Sequence, residues 1–229
     1  MDKFDISALS YEEFIEYVFT TLEGQMESLD PNGKDYWMIA ITRPEVVVKY
    51  LTRFCTEFRK LAETVPADTL DNGIDEMLDS SSLELQKVLW DNRVPLQERV
   101  DCIRSMYRVF ADFVVNREFG KSEGCFYMWW DFVCWGFWFH QTYHKKLPAK
   151  NYELLGDGDK KLVDAMFETL VEVLKLNGSS AKGAALHGLG HVHHPGVRAV
   201  VQDFIDRHLS ELDAKEISWL EKCRDGTNM

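Results

Sequence analysis

The fifteen residues CFYMWWDFVCWGFWF, from Cys125 to Phe139, are apolar around nearly every turn of a helix and carry a single charge, Asp131. A helix of that kind is the one that others surround. The run is shorter than the roughly 20 apolar residues a bilayer span requires, and the carboxylate argues further against insertion. The segment therefore predicts the central helix of an all-α domain. Trp129, Trp130, Trp135 and Trp138 belong first to its core, and only second to a pocket in which their rings would stack on a small molecule. Asp131 needs an arginine, a histidine or helix N-terminal N–H groups as a partner.

Upstream, Val94-Pro95 opens a stripe of Leu96, Val100, Ile103, Tyr107, Phe110 and Val114 at helical spacing. Before it, the spacing predicts a helix with Leu70, Ile74 and Leu78 on one face, weakened by Gly73, and another from Ser82 to about Asn92. Val46, Val47, Tyr50, Leu51, Phe54, Phe58 and Leu61 form a longer stripe that ends before Pro66, with Thr42 and Glu45 as a capping box and Pro44 in the first turn. Ser10 and Glu13 repeat the box ahead of Phe14, Ile15, Val18, Phe19 and Leu22, and Asp30-Pro-Asn-Gly33 turns the chain. The run 36–41, YWMIAI, fits a strand or a buried helical turn equally.

Downstream, residues 148–159 read as a polar loop with Gly156, Asp157 and Gly158, a candidate hinge within one domain spanning 1–229. Leu162, Met166, Leu170 and Val173 make the next helix, stopped by Asn177-Gly178 as a left-handed cap, and Ser179-Ser180 caps the one after. Ala184–Val192 and Val197–Leu209 are joined by His193-His194-Pro195-Gly196 as an antiparallel hairpin, and Ile217, Trp219 and Leu220 mark a last helix.

The formal charge is −12, from 38 acidic against 26 basic residues, and the lysine doublets 145–146 and 160–161 are isolated. A nucleic-acid groove needs a local run of cations, so that class is excluded and a basic protein is the natural electrostatic complement. The cysteines at 55, 102, 125, 134 and 223 are odd in number and form no CxxC pair, which predicts reduced, mostly buried thiols and a cytoplasmic protein. Cys125 and Cys134 sit among aromatics, where a thiol pKa rises, so neither is expected to be a nucleophile. No GxSxG elbow occurs, and Gly156-Asp-Gly158 lacks the strand and lysine of a phosphate-binding loop.

The sharpest local feature is GAALHGLGHVHHPG, Gly183–Gly196, which holds four of the seven histidines. His187 and His191 are four apart, so a helix places both imidazoles on one face, where they can share zinc or another divalent metal. A third ligand would come from His193, His194 or a distant acid. The zinc-protease pattern also requires a Glu after the first His, and Gly188 stands there instead.

Ala185, Leu186, Leu189 and Gly190, then Pro195, then Val197, Val200, Val201, Phe204 and Ile205 resemble one unit of a HEAT repeat. That resemblance implies α-α superhelical packing at this end and a surface of the kind that holds partner proteins. In addition, VPLQERVDCIRSMYRVFADF (94–113), CFYMWWD (125–131) and AALHGLGH (184–191), in that order, resemble a family of bacterial helical proteins with no assigned activity. The likeness implies the fold and marks Trp129, Trp130, Asp131, His187, Gly188 and Gly190 as characteristic positions. The function expected is a non-catalytic interaction module, an adaptor or immunity-type protein without a cofactor, engaging a basic partner and no membrane. The alternative is a metal-binding protein or metal-dependent hydrolase built on His187 and His191.

Overall fold

A computed structural model describes residues 4–20, 39–78, 83–116 and 124–227. Its elements are β1 (Phe4–Asp5), α1 (Tyr11–Thr20), β2 (Ile39–Ala40), α2 (Pro44–Thr64), α3 (Ala67–Leu78), α4 (Leu96–Ser105), α5 (Tyr107–Asp112), α6 (Gly124–Phe139), α7 (Asp157–Leu174), α8 (Ser179–Val192), α9 (Val197–His208) and α10 (Ala214–Asp225). Short 3₁₀ segments join several of them, including Leu85–Trp90, where the sequence predicts an α-helix from Ser82. The fold is all-α; its one strand pair among the described residues is the two-residue parallel match of Phe4 with Ile39 and Asp5 with Ala40. Within 36–41, that pair makes Ile39–Ala40 a short strand. Residues 36–38, Leu22 and the expected turn at Asp30–Gly33 lie outside the described residues.

The capping box at Ser10 and Glu13 forms, with the Ser10 amide donating to Glu13 at 2.7 Å and the Glu13 amide to Ser10 Oγ at 3.3 Å. The one expected at Thr42 and Glu45 does not. The Thr42 hydroxyl donates to the Asp5 carboxylate, and the Arg43 amide donates to Ser7 Oγ at 3.1 Å, so the polar groups before α2 tie down the N-terminal strand.

α6 lies where its composition requires, packed on α3 and most extensively on α8. Trp129, Trp130 and Trp138 are fully buried. Trp129 lies parallel to Phe54 at 6.5 Å and edge-on to Phe110, while Trp138 Nε1 donates to the Val192 carbonyl at 3.2 Å, satisfying an acceptor at the end of α8. Trp135 and Phe139, however, are 40% and 36% exposed, so one edge of the helix faces out.

Three expected element ends shift. The stripe from Leu96 to Val114 is two helices, because the Met106 amide takes the Ile103 carbonyl and the Val109 amide that of Met106, a three-residue pairing that tightens the turn between α4 and α5. The loop before α7 ends at Gly156, so Asp157 and Gly158 are helical. Gly178 is not left-handed (φ −76°); it is the N-cap of α8, and Ser179 and Ser180 lie inside the helix. A Cβ at Gly178 would lie 2.4 Å from the Val115 carbonyl oxygen, so close backbone approach explains the glycine. α9 meets α8 only sparsely; α10 packs on both, closing the C-terminal end as a three-helix group. No helix among the described residues is long and apolar enough to cross a membrane.

Candidate metal centre

α8 is built of small residues where it meets its neighbours. A Cβ at Gly188 would fall 2.5 Å from Trp130 Cβ on α6 and 2.7 Å from Leu170 Cδ2 on α7. The glycine that breaks the zinc-protease pattern is therefore a packing requirement: no glutamate fits there while α6 and α8 keep this distance. One residue after Trp130, Asp131 faces the α8 stripe that carries the two histidines.

The result is a three-residue cluster. Asp131, His187 and His191 each offer one ligand atom, and those atoms lie within 4.8 Å of one another. His191 Nδ1 is 3.4 Å from Asp131 Oδ1, and the two imidazoles meet edge to face at 4.7 Å. Tyr127, one turn before Asp131, stacks on His187 at 4.5 Å. His187 is 7% exposed, while the His191 and Asp131 side chains are 12% and 23% exposed, so the cluster is deep on one side and touches solvent on the other.

Burial pushes His187 down to about 4, with nearby His191 adding to the effect and Asp131 opposing it. Burial also lowers His191, against the pull of Asp131 and with help from Lys150. Both rings are consequently neutral at pH 7, the form that donates a lone pair to a metal. His191 Nε2 is buried and has no hydrogen-bond partner among the described residues. An unsatisfied buried polar atom costs about 1–3 kcal/mol, which a bound cation would offset.

The other two histidines serve elsewhere. His193 ends α8 in the left-handed region (φ 51°) and sets its ring edge-on to Trp138. His194 stacks on Phe167 at 3.9 Å, accepts from the Gly196 amide at Nδ1, and places Nε2 3.3 Å from Asp164. The acid that meets the two imidazoles is Asp131. Trp129 and Trp130 are core, and Gly190 is buried on α8. All five cysteines are free and buried, and burial raises the Cys125 and Cys134 thiols well above their usual range.

Lys150, Tyr152, Glu153, Gly190, His193, Arg198 and Arg224 help line a cleft of about 450 Å³. Tyr127 and Lys150 are the neighbours that sequence reasoning missed. Tyr127 sits one helical turn from Asp131, a spacing that points to it; nothing local marks Lys150.

The chain matches no family model, no curated protein and no solved structure, so its function rests on this geometry.

Proposed function

We propose that the protein binds a divalent transition-metal ion through Asp131, His187 and His191. The observation that carries this is the convergence of one carboxylate and two neutral, largely buried imidazoles from α6 and α8 within 4.8 Å. Two nitrogens and an oxygen suit zinc, iron or manganese, and softer sites built on thiolates are a different class. The interaction module favoured by composition has no comparable convergence of groups behind it.

The test is elemental analysis of protein made without a metal-binding tag, alongside His187→Ala/His191→Ala. Near-stoichiometric zinc, iron or manganese that disappears in the double variant is expected. Metal-free protein that also fails to take up added zinc, while the variant is merely less stable, would make the histidines structural.

A second reading, a helical module for a basic protein partner, draws on the net charge of −12 and on an exposed aromatic row. Trp135, Phe139 and Tyr143 stack in series at 4.9 and 5.1 Å on the outer edge of α6 and the π-helical turn that follows it. Its test is co-purification at low and high salt with wild type and Trp135→Ala/Tyr143→Ala. A partner lost in both high salt and the variant supports it, and recovery of none counts against it.

A further inference from the structure

We infer that the metal site takes a small molecule in which a planar aromatic ring carries an anionic oxygen donor, the oxygen on the ion and the ring laid on Trp135. This rests on the metal reading above. Three protein donors leave at least one coordination position for an outside ligand, the arrangement of exchangeable rather than closed sites. A divalent ion balanced by one carboxylate keeps a positive charge, so an anionic oxygen is the donor it favours. Asp131 keeps a solvent edge, whereas His187 is nearly covered, so an incoming ligand meets the ion from the open edge of α6.

The register of α6 sets what stands along that edge. Asp131, Trp135 and Phe139 follow one another at four-residue spacing, and Tyr143 continues the row through the π-helical turn. Residues four apart on a helix are neighbours, with Cβ atoms about 5–6 Å apart. Helical side chains also lean towards the N-terminus, over the turn that precedes their own. Tyr143 accordingly lies on Phe139 and Phe139 on Trp135, with interplanar angles of 10° and 18° and centroids 5.1 and 4.9 Å apart. The same lean directs Trp135 over the turn of Asp131. Trp135 is therefore the inner end of a stack of three rings, with Phe139 on one face and the residue still well exposed. Its exposure sets it apart from Trp129, Trp130 and Trp138, which fill the core. A fourth ring at the same interval extends the stack to the turn that carries the metal ligand. An aliphatic acid would answer the charge and leave the indole in water; an aromatic ring bearing the donor answers both.

The experiment uses the full chain loaded with cobalt(II), whose visible spectrum reports changes in its ligands. It is titrated with acetohydroxamate and with benzohydroxamate, which present the same oxygen donors on a methyl group and on a phenyl ring. Both should change the spectrum saturably, benzohydroxamate the more tightly by about fivefold, the equivalent of one stacked ring pair. Trp135→Ala, a change at an exposed position, should leave cobalt uptake and acetohydroxamate binding intact and erase the preference, whereas Trp135→Phe should keep most of it. Equal binding of the two hydroxamates by the wild type, a preference that survives Trp135→Ala, or a cobalt spectrum indifferent to both overturns the inference and leaves the metal site standing. Failure to bind cobalt at all removes the metal reading and the inference together.

Discussion

Gly188 shows how one missing methyl group decides chemistry. Its position against Trp130 and Leu170 excludes any side chain, so Gly188→Ala should destabilise the protein by about 1–3 kcal/mol through overpacking of the α6–α8 contact. Gly183, on the same helix, is the control, because a methyl group there would meet nothing within 4 Å: Gly183→Ala should stabilise by about 0.5–1 kcal/mol. Urea denaturation of the two variants measures both, and effects of equal sign would contradict the packing described. At the same scale, His187 and His193 are each held near 4 in the fold, chiefly by burial, against 6.5 for a free imidazole. The unfolded chain therefore takes up protons first as pH falls. The metal-free protein should keep its full stability above about pH 6.5 and lose it progressively towards pH 4. His193→Asn preserves a side chain tolerant of the left-handed backbone and should reduce the pH slope of stability by at most about one proton; denaturation curves at intervals from pH 7 to 4 would reveal an unchanged slope if the ring titrates normally.

At the scale of elements, the contact between α6 and α8 both builds the core and assembles the candidate site. Trp130 is fully buried between them, and Trp130→Ala should cost about 3–5 kcal/mol, with metal uptake lost in proportion to unfolding. Unchanged thermal stability in that variant would place the tryptophan outside the core. Several helices are legible in the sequence: α2, from its periodicity, stops before Pro66; α6, from its continuous apolar run, occupies Cys125–Phe139 with one residue added; and Ser10 caps α1 with Glu13. The ends that differ share one cause. Thr42 has the sequence of a cap, yet its hydroxyl is claimed by Asp5, 37 residues away, and Gly178 has the look of a left-handed stop, yet it is small because Val115 presses on it. Local patterns say what a residue can do; the distant group that competes for it is fixed only by packing. The capping box of Asp213 and Glu216, which starts α10, is by contrast a purely local signal that the apolar pattern of that helix overshadows.

Across the whole molecule, the same division holds for the site. The spacing of His187 and His191 puts both rings on one face from sequence alone, and the isolated charge in an apolar helix singles out Asp131. That these belong together depends on α6 meeting α8, an element much later in the chain, which no local signal carries. Lys150 comes from a segment whose polar sequence is ordinary, and the cleft it lines also draws on α8, α9 and α10. The distribution of charge adds a contrast between an acidic exterior and one inwardly neutral pair of imidazoles beside a carboxylate. The most direct measurement is a zinc titration of the metal-stripped full chain in competition with a chromophoric chelator, repeated on Asp131→Asn and on His187→Ala/His191→Ala, with circular dichroism to verify that each remains folded. One zinc per chain is expected, weakened about 10–100-fold by Asp131→Asn and abolished in the double variant. Equal zinc binding by all three folded proteins, or none by the wild type, would contradict the site.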